Sequence, residues 1–246
     1  MMELKDKVAI INGLSSAIGM VIGKALLENS VYISGTYHSK KENIDHLIKK
    51  FGDKRIKSFR IDFLKDDYEK NIENIVIQTK KYFGKIDLLI NVSGVWLIKP
   101  FLYEKKKEVE QIWRVNYWAT YYFIKNTIPH MMNNGGSIVN IASVVGISGA
   151  GQQVSYGASK AAIINLTRSL AEEFAPRHIR VNLISPGYTD TPALDKYLDD
   201  ANKELLVKHI PMARFCKPED VANTVLYLLQ NDYITGVNIP LHGGKL

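Results

Sequence analysis

Short apolar runs alternate with longer segments of helical period along the whole chain, and this alternation is its strongest constraint. Val8 to Asn12 (V-A-I-I-N) precedes a helical segment from about Ile18 to Glu28, and Val31 to Tyr37 precedes another to Phe51. A run ending at Asp62 leads into an amphipathic segment to Phe83, and Ile86 to Val92 leads into a long helical region ending near Met132. Gly136 to Ser143 precedes a helix from about Ser155 to Phe174. Ile179 to Ser185 leads through an irregular stretch to a helix opened by Pro218-Glu219-Asp220, and a last strand surrounds Val237 to Ile239. Near-continuous apolar strands are those buried on both faces, and strand–helix alternation implies parallel pairing through right-handed crossovers. No linker, composition break or repeat divides the 246 residues. The expectation is one α/β domain over 1–246, a doubly wound parallel sheet of about seven strands with helices on both faces.

Sheets of this kind bind ligands beyond the carboxyl ends of their strands, so the residues following each strand carry the functional information. After the first strand the chain reads Asn12-Gly13-Leu14-Ser15-Ser16-Ala17-Ile18-Gly19. Gly13 permits a tight turn, and Gly19 lets the next helix approach the strand. Amide groups at the helix start, with the Ser15 and Ser16 hydroxyls, suit a pyrophosphate. Ala17 adds a methyl group to a glycine-rich loop, which a negative φ tolerates. An ordinary strand–helix turn reads the same way, so the loop alone does not define a nucleotide site.

Other chemistries find little support. The net charge of +7 comes largely from scattered lysine pairs such as Lys49-Lys50 and Lys80-Lys81 on polar helical faces, a solvated surface rather than a nucleic-acid site. A single cysteine, Cys216, excludes an intrachain disulfide and a cysteine metal cluster. The six histidines form no metal motif, and no G-x-S-x-G elbow occurs. No apolar run approaches the ~18 residues of a membrane span, and the amino terminus lacks the long apolar core of a signal peptide. The expectation is a cytoplasmic protein with no metal, no nucleic acid and no membrane.

Four Y-x-x-x-K spacings occur, at Tyr37/Lys41, Tyr103/Lys107, Tyr121/Lys125 and Tyr156/Lys160. Only the last lies on a helix after the fifth strand, 13 residues beyond Ser143 at that strand's end. Residues i and i+4 share a helix face. A lysine there is expected to lower the phenol pKa, making Tyr156 a general acid near neutral pH.

The G-x-x-x-x-I-G spacing of Gly13 to Gly19, the turn Asn91-Val92-Ser93-Gly94, and the segment Pro186-Gly187-Tyr188-Thr189-Asp190-Thr191 occur in order with the Ser143/Tyr156/Lys160 set. Tyr233-Ile234-Thr235-Gly236 and Gly243-Gly244 follow. Across essentially the whole chain this resembles the short-chain dehydrogenase/reductase family, with Ala17 in place of a glycine and two substitutions in the family's N-N-A-G turn. The resemblance implies a Rossmann-type, NAD(P)-dependent oxidoreductase. Tyr156 would protonate a carbonyl oxygen, Ser143 would hydrogen-bond it, and Lys160 would bind the nicotinamide ribose. Asn116, in R-V-N-Y, would anchor a proton-relay water. Asp62 and Phe63 would lie near the adenine, and Asn91, Val92, Ser93, Gly94, Pro186, Gly187, Thr189 and Thr191 would contact the cofactor. The pattern most resembles 3-oxoacyl-[acyl-carrier-protein] reductases, although sugar, polyol and steroid dehydrogenases share nearly all these residues. A non-catalytic nucleotide-binding module is the remote alternative.

NAD-specific sites place a carboxylate just after the second strand. Here the stretch reads Thr36-Tyr37-His38-Ser39-Lys40-Lys41, with no carboxylate before Glu42. Ser39 and Lys40 or Lys41 suit a 2′-phosphate, which favours NADP(H), with NAD also possible. Ser16 stands where many NADP-using relatives carry a basic residue. The expected partner is a small-molecule or carrier-bound carbonyl compound. The apolar residues Trp113, Trp118, Tyr121, Tyr122, Phe123 and Ile163 predict helix-to-helix contacts in a homodimer or homotetramer. The region from about Thr189 to Ile210, with Leu194, Tyr197, Leu198 and Leu205 and the preceding Tyr188, is expected to close over the substrate. Trp96 and Trp113 are expected to serve as buried packing, with a place in the lining of the site as the alternative.

Overall fold

The computed structural model describes residues 2–245. Seven strands form one parallel sheet in the order β3-β2-β1-β4-β5-β6-β7. They are β1 (Val8–Asn12), β2 (Tyr32–Tyr37), β3 (Ile56–Arg60), β4 (Leu88–Asn91), β5 (Gly136–Ile141), β6 (Ile179–Pro186) and β7 (Asn238–Leu241). The order reverses between β1 and β4, so the switch-point crevice opens there.

One face is covered by α1 (Ala17–Glu28), α2 (Lys41–Phe51) and α10 (Pro218–Gln230), which bury Ile22, Leu26, Ile44, Leu47 and Val225 against the sheet. The other is covered by α3 (Tyr68–Phe83), α5 (Ala119–Met131) and α7 (Val154–Phe174), which contribute Ile72, Phe123 and Ala171. The α10 start illustrates local determination. Pro218 occupies the first turn with Glu219 and Asp220, and the Asp220 carboxylate accepts from the Lys217 amide at 2.9 Å.

The long helical region expected before Met132 is divided. A single 3₁₀ turn (Phe101–Tyr103) precedes α4 (Lys106–Ile112), and six residues of π-helix, Trp113–Trp118, join α4 to α5. Irregular helix of this kind often marks a functional site, and Asn116 lies within it. The irregular stretch after β6 contains two helices that periodicity did not resolve, α8 (Pro192–Asp195) and α9 (Asp200–Lys208), while a short α6 (Val145–Ser148) follows β5. The third strand ends at Arg60, two residues before Asp62.

Two residues assigned above to subunit contact serve the chain's own core: Phe123 and Ile163 are buried. Trp118, by contrast, is exposed and stands in a chain of ring contacts with Tyr117, Tyr121 and Tyr122. Among the described residues, no helix is long and apolar enough to cross a membrane.

Under the carboxyl ends of the central strands runs a ladder of buried carboxamides. Asn91 donates to Asn140 at 2.9 Å, Asn140 donates to Thr167 of α7 at 2.9 Å, and Asn12 accepts from Ser93 at 2.7 Å. Satisfied in this way, buried amides avoid the desolvation cost of unpaired polar groups.

Candidate active site

The loop after β1 is held by backbone geometry. Gly13 has φ +89°, and a Cβ there would lie 2.7 Å from Ser93 Oγ and 2.8 Å from Ser93 N. A Cβ on Gly19 would lie 2.2 Å from the Gly13 carbonyl oxygen. Both glycines are therefore required by close approach. Ala17, in contrast, has no positive φ and opens α1 normally. Leu14 is fully buried, in space left by Gly23 and Gly35.

The Ser16 hydroxyl departs from its expected role. It caps α1, accepting from Gly19 N at 3.0 Å and donating to Gly13 O at 2.8 Å. Its oxygen is committed to the helix start, which leaves Ser15 as the loop's available hydroxyl. The first turn of α1 carries no acidic side chain, and its leading amides have no acceptor within the helix. This donor set suits a pyrophosphate.

At the end of β2, Tyr37 packs on the α1 side of the sheet and pairs in register with Arg60 of β3. Arg60 was not among the expected residues. Its Nε donates to the His38 carbonyl at 3.3 Å, which brings an exposed guanidinium to the turn that carries Ser39 and Lys40. Lys41 is instead paired with Asp45 at 3.0 Å, one helical turn away. Asp62 accepts from Leu64 N at 2.9 Å and lies 3.6 Å from His38 Nε2, and Phe63 is buried edge-on to Tyr68.

A cleft of about 960 Å³ opens over the switch point. Ile18, Val92, Gly94, Ser143, Tyr156, Lys160, Pro186, Gly187, Thr189 and Thr191 all line it. Asn91 and Ser93 lie in the hydrogen-bonded floor beneath it. Thr189 bridges in parallel to Cys216, which straps the 187–191 segment to the start of α10. Burial pushes the Cys216 thiol up to about 11, so this sulfur stays protonated.

Ser143, Tyr156 and Lys160, the set expected to be catalytic, converge within that cleft. Ser143 Oγ accepts from Val145 N at 3.2 Å and stands beside the Tyr156 phenol, near enough to pull its pKa down. Lys160 is almost fully buried, and its ammonium donates to the Ile141 carbonyl at 2.9 Å, 5.9 Å from the Tyr156 ring centre. The expected electrostatics are reversed. Burial pushes the Tyr156 phenol above its ordinary range, with Ser143 pulling it down, while burial lowers Lys160 to about 8. The cause is desolvation acting on both groups, with the lysine proton directed at a carbonyl rather than at the phenol.

Asn116 is buried, and its side chain is fully engaged. Its oxygen accepts from Val95 N at 2.8 Å, and its amide donates to Val95 O at 3.0 Å and Ser159 Oγ at 3.1 Å. Both amide hydrogens are thus used in bracing the post-β4 loop against α7. Gln153 was likewise not anticipated; its side chain accepts from the Trp96 indole.

Trp96 is another correction. It lines the cleft rather than serving only as packing, whereas Trp113 contacts Tyr117 away from it. Leu194 and Tyr197 line the cleft as expected, but Leu205 is exposed. The signal available beforehand was position: Trp96 stands two residues after Gly94, at the rim of the switch point.

Known proteins resemble the chain over its full extent. The family model described as enoyl-(acyl carrier protein) reductase matches residues 13–245. The 3-oxoacyl-[acyl-carrier-protein] reductase FabG of Thermotoga maritima is 34% identical over 249 residues, covering 99% of each chain. FabG of Rickettsia bellii is 34% identical, covering 100% of this chain and 99% of its own. The solved structure of ElxO with NADP bound superposes with a TM-score of 0.89 at 29% identity, covering 97% of this chain and 98% of that one. With its seven-stranded parallel sheet and its Ser143, Tyr156 and Lys160 gathered at the switch point, the chain belongs to the short-chain dehydrogenase/reductase family and is an NAD(P)-dependent oxidoreductase acting on a carbonyl/alcohol pair.

Proposed function

We propose that this enzyme reduces the ketone of a 3-oxoacyl thioester, presented on a small carrier or carrier protein, with NADP(H) as hydride source. The observation that carries this reading is the meeting of the Ser143 hydroxyl and Tyr156 phenol at one end of the cleft with Lys160 behind them. Two adjacent hydroxyl donors fit a carbonyl oxygen, which accepts two hydrogen bonds as negative charge develops. An isolated carbon–carbon double bond offers no such acceptor.

Bound NADPH supplies the hydride. Tyr156, kept neutral by burial, holds the proton destined for the carbonyl oxygen. Ser143 orients that oxygen, and Lys160 is placed for a ribose hydroxyl. Gly13, Ser15, Ile18 and Gly19 form the pyrophosphate cradle, with Asp62 and Phe63 at the adenine and Asn91 to Gly94 and Pro186 to Thr191 at the nicotinamide end. Asn116 acts as a positioning residue through Val95 and Ser159. Ser39, Lys40 and Arg60 supply hydroxyl and cationic donors for a 2′-phosphate, and the named NADP complex of ElxO supports the same choice. The exposed Trp118, packed on the half-buried Tyr121, supports assembly as a homodimer or homotetramer through α4, α5 and α7.

The test is kcat/KM for NADPH and NADH with acetoacetyl thioester, accompanied by calorimetric binding of 2′,5′-ADP and 5′-ADP. NADPH and 2′,5′-ADP are expected to be preferred at least tenfold, with Lys40→Glu eroding both preferences. A tenfold advantage for NADH overturns the cofactor assignment, and absence of thioester reduction overturns the substrate assignment.

A further inference from the structure

Trp96 leaves the β4 turn immediately after Val95, whose backbone is clamped on both sides by Asn116. Its indole N–H donates to Gln153 Oε1, just ahead of the catalytic helix. Its own carbonyl accepts from the Tyr197 hydroxyl at 2.7 Å, across 101 residues of chain. The indole ring lies 4.7 Å from Tyr197, 6.4 Å from Tyr188 and 6.5 Å from Tyr156, centre to centre. A tryptophan tied through both side chain and main chain cannot swing aside without losing its part-buried indole hydrogen bond and its ring contacts. It therefore forms a fixed wall beside the phenol.

A ketone whose oxygen rests on Tyr156 and Ser143 must direct one of its two carbon substituents past that wall. We infer that Trp96 is a specificity-determining residue that limits this substituent to about a methyl or ethyl group, so that the substrate class is short 3-oxoacyl thioesters and simple methyl ketones. The inference rests on the carbonyl-reductase reading above. An open apolar arm would instead reward each added methylene about fourfold in kcat/KM.

The experiment compares acetoacetyl, 3-oxohexanoyl and 3-oxooctanoyl N-acetylcysteamine thioesters with wild type, Trp96→Ala and Trp96→Leu. Wild type is expected to favour the four-carbon over the eight-carbon substrate at least tenfold. Both variants are expected to raise the eight-to-four ratio at least tenfold, with KM for NADPH unchanged. General damage would lower all three rates together and leave the ratio alone. Trp96→Leu, which removes the indole but keeps a branched apolar side chain, carries the test if the alanine variant does not fold. A ratio unchanged within twofold in a folded variant overturns the inference, as does wild-type preference for the eight-carbon chain. Wild type that reduces the thioesters but fails on the ratio leaves the functional reading standing. Wild type that reduces none of them overturns both.

Discussion

The two ends of the cleft are built by different means. At the nucleotide end, position is set by backbone: a left-handed Gly13, a glycine at 19 pressed against a carbonyl, a serine cap and the carboxamides below. At the substrate end, position is set by side chains from remote segments, with Trp96, Gln153 and Tyr197 meeting beside Tyr156. The first arrangement demands particular residue types at particular spacings. The second needs only compatible shapes, so it is free to differ between enzymes that share a mechanism.

The sharpest way to separate the two ends is Tyr156→Phe. Removing the phenol hydroxyl deletes the proposed proton donor, and turnover is expected to fall ~10²–10⁴-fold. Binding of 2′,5′-ADP, measured by calorimetry, should remain within twofold of wild type. More than half the wild-type rate would remove Tyr156 from its assigned role.

Lys160 stands between the two ends and offers a pH-dependent test. Its folded pKa of about 8 lies below the ordinary lysine range, so the folded state binds fewer protons than the unfolded chain above that pH. The cost of burying the charge is greatest below pH 8 and is relieved as pH rises toward the unfolded pKa. The stability of wild type relative to Lys160→Met should therefore increase by about 2–3 kcal/mol between pH 7 and pH 10. Paired urea titrations measure the difference, and a flat or falling difference contradicts the assignment.

On the nucleotide side, Gly13→Ala combines an unfavourable φ with a clash against Ser93. It is expected to cost about 1–3 kcal/mol in stability and to weaken 2′,5′-ADP binding while leaving the acetoacetyl-to-3-oxooctanoyl ratio alone. Thermal unfolding and calorimetry check both parts. The smallest effect belongs to Tyr197→Phe, which keeps the ring but removes its bond to the Trp96 carbonyl. About 0.5–1.5 kcal/mol is expected, read as a severalfold rise in thioester KM with unchanged KM for NADPH. An unchanged thioester KM would detach Tyr197 from the substrate wall.

This division also explains what could be read from the residues alone. Strand–helix alternation was legible because the central strands β1, β4, β5 and β6 are buried on both faces, and Gly13, Ser143, Tyr156 and Lys160 follow strands in the order and spacing that the sequence showed. The direction of the tyrosine and lysine pKa shifts was not, because burial depends on everything packed around the pair. Ser16 looked like a phosphate ligand until the helix start claimed its hydroxyl. Trp96 could not be placed because its partners lie 57 and 101 residues away. Arg60 escaped notice because its relevance depends on pairing with Tyr37 across the β2–β3 edge.

The asparagine ladder has a consequence for how the molecule assembles. Parallel strands have no hairpin turn to tell them where to align, and uniformly apolar strands such as β1 and β4 offer little to distinguish one alignment from the next. The carboxamides break that degeneracy. Sliding β4 by one residue would part Asn91 from Asn140 and from the Asn12 side, stranding polar groups in the dry interior at roughly 1–3 kcal/mol each. The row of amides thus works as a vernier, by which the central strands find their mutual offset before any nucleotide arrives.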